Sequence, residues 1–416
     1  MDRVVAETRP RPGIRAALEV LVVALRLGVT SFGGPIAHLG YFRDEYVRRR
    51  QWLDEGTYAD LIALCQLLPG PASSEVGIGI GILRARLLGG FAAWLGFTLP
   101  SAIALTAFAF VVQALGGAGD LQWLHGLQVV AVVVVANAVW SMGRTLTPDR
   151  PRLLVALAAG VVTTGLPPGW AQVAAIVLGA AAGLVFFRGA GQSVEDPEES
   201  TERMRVEVPI RRLTGGLVLG AFGVLLVGLP LLGHFVSNRP LAVFQSFFVV
   251  ASFVFGGGHV VLPLLQAQVV PPGWVTNAQF LAGYGAAQAV PGPLFTFGAY
   301  LGQIAAGGVV GAAAGLVGIF APSFFLVIGT LPFWDTLRRR TGFRSVLTGV
   351  NAAVVGLLAA ALYNPVWTNT VRGPQDFLLV LVGFAAVFVV RTPPWVAVII
   401  LGVLGALLHG LSLLHL

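Results

Sequence analysis

The sequence predicts an all-α polytopic membrane protein: two homologous inverted-repeat helical domains with broken helices, carrying ten to thirteen transmembrane segments. Three observations predict it. The 416 residues are 56% apolar and 11% charged, with a mean hydropathy of +0.83, so the bulk of the chain faces lipid. Apolar stretches of helical length follow one another from residue 16 onward. The third observation is that the second half of the chain repeats the first.

Taken in order, the apolar stretches fall at 16–34, 57–83, 87–113, 121–143, 213–236, 240–258, 278–304, 308–333, 345–363 and 394–412. Three shorter ones, 153–166, 170–187 and 376–390, sit at or below the length a crossing needs and read as tilted pairs or buried hairpins. The start of the chain is polar and Arg-bearing, and no small-residue cleavage pattern follows residue 34, so the first segment is expected to be retained. The stretch 188–212 is a linker, with Glu195, Asp196, Glu198, Glu199 and Glu202 among arginines around Pro197. This divides the chain into a first repeat domain at 1–187, a cytoplasmic linker and connector helix at 188–239, and a second repeat domain at 240–416.

The repeat is carried by backbone-determining residues. Phe32-Gly33-Gly34 matches Phe255-Gly256-Gly257, and after one residue of slippage Trp52 matches Trp274. At a constant offset of 222, Gln66-x-x-Pro69-Gly70-Pro71 lies on Gln288-x-x-Pro291-Gly292-Pro293, Gly89 on Gly311, Gly96 on Gly318, and Pro100-Ser101 on Pro322-Ser323. Eleven identities in fifty aligned positions are few, but they concentrate in Gly, Pro and Gln. If all thirteen segments cross from a cytoplasmic N-terminus, 19 arginines fall inside and six outside, and the single connector crossing inverts the second half. One loop opposes that bias, since Arg43, Arg48, Arg49 and Arg50 would lie outside. A re-entrant hairpin at 57–83 would instead put this loop on the side of Arg84 and Arg86, and the sequence leaves both arrangements open.

Composition also excludes function classes. A single cysteine, Cys65, and six scattered histidines without HxxxH spacing argue against metal and thiol chemistry, and no cofactor is implied. The formal charge of +7 comes from 26 arginines without a lysine and reads as loop bias, with no nucleic-acid motif beside it. No set of nucleophile, base and orienting group suggests an enzyme. The partners expected are the lipid bilayer and an anion, and a homodimer is an admissible assembly.

The candidate site follows from the Pro-Gly-Pro breaks. Proline lacks an amide hydrogen and collides with the preceding turn, so the helix must break at Pro69, Gly70 and Pro71, and again at Pro291, Gly292 and Pro293. Backbone freed at membrane depth is tolerated where it is buried in protein or lines a wet cavity. With Pro71 in the first helical position, the amides of Ala72, Ser73 and Ser74 stand free at a helix N-terminus, where an anion is stabilised. The hydroxyls of Ser73 and Ser74 add donors, and Thr296 is the counterpart of Ser74; the alternative is a packing kink whose hydroxyls bond back to the preceding turn. Phe32, Gly33 and Gly34, with Phe255, Gly256 and Gly257, read as structural, giving close packing or a left-handed turn. His38 and His259 follow these glycines without aligning, and read as structural too.

Arg26 lies deep in its span with Glu19 two turns earlier, which suggests either an internal ion pair or an arginine facing an anion pathway. Glu75, just inside the second half-helix, is the candidate for proton coupling, against simple pairing with the helix dipole. Residues 240–334 hold no acid and no basic side chain other than histidine, so the functional asymmetry lies in the first half. The expectation is an anion between the two broken helices, each N-terminus offering the equivalent of about half a positive charge, with Arg26 balancing most of the rest.

At these residues the chain resembles the chromate ion transporter family. The resemblance rests on Arg26-Leu-Gly-Val-Thr-Ser31-Phe-Gly-Gly-Pro35-Ile-Ala-His38-Leu-Gly-Tyr-Phe-Arg43, on Tyr58-Ala-Asp60-Leu-Ile-Ala-Leu-Cys-Gln66-Leu-Leu-Pro69-Gly-Pro71-Ala-Ser-Ser-Glu75, and on Trp94-Leu-Gly-Phe-Thr-Leu-Pro100-Ser101. The second half adds Val254-Phe-Gly-Gly-Gly-His259-Val-Val-Leu-Pro263, and the whole is similar to the long, two-domain type. The resemblance implies export of chromate across the bacterial cytoplasmic membrane, driven by membrane potential or a proton gradient, and hence chromate resistance. Relatives carry a basic residue in the first span of the second domain, whereas Val249 stands opposite Arg26 here. Two rivals remain beside this reading: a transporter of sulfate or another oxyanion, and a non-transporting membrane assembly or sensor protein.

Overall fold

The computed structural model describes residues 13–114, 123–166, 170–187, 208–233, 235, 238–255, 258–334 and 341–414, and every regular element among them is helical. Among the described residues, five helices are long and apolar enough to cross a membrane.

Helix α1 (Ile14–Thr30) ends short of the expected residue 34, because Gly33 (φ +100) and Gly34 (φ +79) adopt left-handed backbone and Pro35 restarts the chain as α2 (Gly34–Phe42). Gly256 and Gly257, the matching pair, lie outside the described residues. The chain then runs back through a π-helical stretch, Arg43–Arg49, until Trp52 packs on Ala16, Ala17, Val20 and Ala85 near the beginning of α1. Helix α3 (Glu55–Leu67) is capped by Asp54, whose carboxylate accepts from the Thr57 amide at 2.8 Å. Burial pushes that carboxyl up, but the bonds from Thr57 outweigh it and hold Asp54 below the usual range.

Two hairpins follow. Across Pro69-Gly70-Pro71 the chain doubles back into α4 (Ala72–Ala114), so that Gly79 packs on the side chain of Leu61. Helix α4 is itself interrupted at Ala85 (φ −141, ψ 28) and Arg86 (φ 57, ψ −153), and its remainder, 87–114, runs antiparallel to 72–84 with the Gly81 and Gly89 backbones in contact. The segment 57–83 is therefore a re-entrant hairpin. Ion pairs fix the point: Glu19 of α1 binds both Arg50 of the preceding loop (3.1 Å) and Arg84 (3.0 Å), so the two arginines share one face. This corrects the thirteen-crossing arrangement and brings Arg43, Arg48, Arg49 and Arg50 over to the arginine-rich side.

The second half repeats the design. Helices α5 (Trp123–Leu146), α6 (Arg150–Gly165) and α7 (Trp170–Phe186) complete the first half, and α8 (Arg212–Gly233) connects. Then α9 (Arg239–Ala251) and α10 (Val261–Val269) form one broken pair, and α11 (Asn277–Ala289) and α12 (Phe297–Ala306) form the second hairpin, with Gly283 against the ring of Tyr300. Gly307 (φ +78) and Gly308 (φ +62) make the turn that Ala85 and Arg86 make in the first half, and α13 (Gly308–Thr330) returns along α12. Small residues let these arms touch, Gly96 meeting the backbone of Leu21 as Gly318 meets that of Phe244. The halves interlock further: α14 (Thr341–Ala361) packs Gly349 on Gly179 and Gly356 on Ala156, and α16 (Pro394–Leu414), which follows α15 (Pro374–Phe384), packs Gly405 on Gly126.

The hairpins enter from opposite ends of α4. The first returns beside Arg84, whereas Gln303, near the mouth of the second, donates to Gln113 at the far end of the helix (2.9 Å).

Candidate functional site

Each hairpin tip is held by the opposite half, and the two arrangements are equivalent. Gly70 (φ +138) donates its amide to the Val254 carbonyl at 2.8 Å, and Gly292 (φ +101) donates to the Ser31 carbonyl at 2.9 Å. Beside Gly70 sits Ser323, and beside Gly292 sits Ser101, the repeated Pro-Ser serines of α13 and α4. Each acceptor carbonyl stands where the first helix of a repeat has just ended, so a break in one half satisfies a break in the other.

At the first tip, helix α4 begins at Ala72, and Pro71 caps it by accepting from the Glu75 amide (3.0 Å). The amides of Ala72, Ser73 and Ser74 have no intrahelical acceptor, as the first turn of any helix leaves them. Around them the side chains are buried and polar. Ser73 lies 3.3 Å from His38 Nδ1, whose ring stands edge-on to Phe97. The Ser74 hydroxyl, both Glu75 oxygens, His38 Nε2 and the hydroxyls of Ser31, Thr98 and Ser323 are buried without a hydrogen-bond partner. Glu75 is 0% exposed, and its carboxyl shares the contact with Gly70 that Ser323 makes, without a well-formed bond between them. Seven such orphan atoms on six residues contrast with the near-complete satisfaction expected of buried polar atoms, and mark a place built for something polar.

The second tip is closed. Thr296, expected as a donor equivalent to Ser74, turns its hydroxyl back onto the Pro293 carbonyl at 2.8 Å, and its amide bonds the same oxygen at 3.0 Å. The turn Leu294–Thr296 is 3-10, which consumes those donors before α12 begins. The picture of two equal half-helix termini is thereby corrected.

Arg26 is corrected as well. It lies on an exposed face of α1 with Val22 (66% exposed) and Val29 (53%), and Glu19 is engaged by Arg50 and Arg84 instead. Helix α1 turns Val23, Ala24 and Leu27 inward, and this rotation points residue 26 away from the buried cluster. Pro69, Gly70, Pro71, Ser73, Ser74 and Glu75 are thus brought together, Pro291, Gly292, Pro293 and Thr296 form the braced counterpart, and the ring of Phe32 lies tilted against that of Trp395, 5.6 Å between centroids. Ser31, Thr98, Ser101 and Ser323 were missed by motif reading, although the Pro-Ser pairs stood in the repeat alignment.

Interlocked halves with polar re-entrant tips inside an apolar helical body define a membrane transporter of the broken-helix kind. The chain belongs to the chromate transporter family, whose model matches residues 18–184 and 241–406, one repeat in each half. It is 28% identical over 364 residues to a chromate transport protein of Pseudomonas aeruginosa, covering 84% of this chain and 81% of that one. To a chromate transport protein of Cupriavidus metallidurans it is 26% identical over 414 residues, covering 95% and 94%. No solved structure matches the chain.

Proposed function

We propose that the protein is a secondary transporter that exports chromate across the cytoplasmic membrane and so confers chromate resistance, with residues 1–187 and 240–416 as its two repeat domains. The orphaned polar cluster at the first tip supports this reading above all. A tetrahedral dianion takes the free amides of Ala72, Ser73 and Ser74 and the Ser74 hydroxyl, at the positive end of a helix dipole. These donors are neutral, so they hold the anion without trapping it. Glu75 stands one residue further on, and an ionised carboxylate there repels the dianion; occupancy of the site and protonation of Glu75 therefore rise together.

The membrane potential drives the outward step. A dianion leaving a negative interior gains about 4.6 kcal/mol per 100 mV, which sustains a gradient on the order of a thousandfold.

Amides and hydroxyls do not distinguish chromate from sulfate, which has the same charge and shape, so the test includes both. In everted vesicles carrying the protein, labelled chromate should accumulate with energisation, and excess sulfate should compete. Accumulation no greater than in vesicles lacking the protein would refute the transport reading, and sulfate flux without chromate flux would reassign the cargo.

A further inference from the structure

The geometry points to a binding site for the phosphate headgroup of an anionic phospholipid, in the cleft between the Ala85-Arg86 turn and the beginning of α8. The cleft has a volume of about 430 Å³, and its polar lining is Arg86, Arg211 and Thr214. Both guanidinium groups are exposed, and neither has a carboxylate partner among the described residues. The nearest acid in α1, Glu19, is already shared by Arg50 and Arg84, so it leaves this corner of the protein positive.

Two further features select a lipid rather than a free anion. The cleft lies at a membrane face: Gly13, at the start of α1, lines it, and so does Ala85, where α4 turns from its hairpin arm into its long apolar run. Its other walls are Leu87, Leu88, Ile210 and Ile328. Leu87 (52% exposed) and Leu88 (63%) continue along α4 into Phe91 (51%), and Leu213 (75%) continues along α8 into Leu217 (66%). A headgroup phosphate between the arginines would thus have its acyl chains laid along two exposed apolar helix faces, from which inorganic phosphate or chromate would gain nothing. Arg86 also holds left-handed backbone (φ 57) at the position where the second half has Gly308 (φ +62), so a guanidinium is kept here against the backbone's preference. The cleft is separate from the tip at Gly70, because the arm 72–84 puts roughly 20 Å between them.

Native mass spectrometry of the detergent-purified full chain tests this, with phosphatidylglycerol, phosphatidylcholine of the same acyl chains, and inorganic phosphate as probes. Phosphatidylglycerol should be retained, phosphatidylcholine should not, and phosphate should fail to displace the lipid. Each arginine near the surface is worth about a factor of five, so Arg86→Gln with Arg211→Gln should weaken retention roughly thirtyfold, and the lysine pair should keep most of it. Arg211→Gln alone, in an exposed position before α8, should cost about fivefold and serves if the double variant is unstable. Equal retention of phosphatidylcholine, displacement by inorganic phosphate, or unchanged retention in Arg211→Gln would each overturn the assignment.

Discussion

Gly70→Ala is the sharpest perturbation of the proposed site. An added Cβ would meet the Glu75 carboxyl and lie 2.8 Å from the Ser323 hydroxyl, and Gly70 holds φ +138, which an alanine adopts only under strain. At φ +138 the residue lies beyond the left-handed well, so the backbone term is no less than the about 1–2 kcal/mol of that well, and forcing extra volume into a packed site adds about 1–3 kcal/mol. Gly273→Ala is the control, since Gly273 has φ +70, inside the left-handed well, and nothing within 4 Å of its Cβ position; it should lose only about 1–2 kcal/mol. Unfolding of the purified variants gives the stability difference, and chromate flux in proteoliposomes, normalised to folded protein, gives the functional one. Gly70→Ala should be the less stable by about 1–3 kcal/mol and should transport poorly, while Gly273→Ala transports normally. Adding Ser323→Ala to Gly70→Ala removes one of the two obstructing groups and should recover part of the loss, a coupling that independent sites would not show. The packing argument fails if Gly70→Ala is no less stable than Gly273→Ala and transports at the wild-type rate.

Three other outcomes follow from the same geometry. Ser74→Ala should weaken chromate binding by about 1 kcal/mol, or fivefold, whereas Thr296→Ala should leave affinity unchanged because that hydroxyl is spent on Pro293; equal effects in binding assays would contradict the open and closed tips. Protonation of Glu75 favours the anion, so wild-type binding should tighten as pH falls, and Glu75→Gln, which fixes the uncharged form, should flatten the pH profile while keeping flux; an unaltered profile removes Glu75 from coupling. With Cys65 replaced by serine, single cysteines at Gln51 and Thr276 should react with an impermeant reagent from opposite sides of the membrane, and reaction of both from one side would disprove the inverted arrangement.

What was legible in the sequence is what backbone chemistry dictates. Pro-Gly-Pro has few ways to continue a helix, so both breaks could be located to the residue, and the constant offset of 222 exposed the repeat that pairs them. The hairpin character of 57–83 was not legible, because a broken crossing and a re-entrant loop have the same hydropathy. It took the Glu19 pairs with Arg50 and Arg84 to decide. Arg26 misled because depth in a span says nothing about which way a helix is turned, and α1 buries Ala16, Ala17, Val20, Val23 and Ala24 instead. Thr296 misled because a hydroxyl at an aligned position can be spent locally in a 3-10 turn, here between two phenylalanines.

Those phenylalanines give one frame, used twice, two chemically different tips. At the offset of 222, Ser73 and Glu75 of the first half stand on Phe295 and Phe297 of the second. Phe297 packs edge-on to Phe280 at 5.2 Å and stacks on Tyr300 at 5.9 Å, while Phe295 tilts against Phe320 at 6.1 Å. An aromatic cluster of this kind adds apolar burial and ring contacts where the first half carries orphaned polar atoms, each of which costs about 1–3 kcal/mol while unsatisfied. A protein of marginal stability does not leave such groups buried at both of its tips without reason. The second half instead supplies the rigid side of the bargain: its carbonyl at Val254 fixes Gly70, its Ser323 abuts Glu75, and its closed tip anchors on Ser31. Under the proposed function the substrate is taken by the first hairpin, with the duplicated geometry keeping the free amides of Ala72, Ser73 and Ser74 in place.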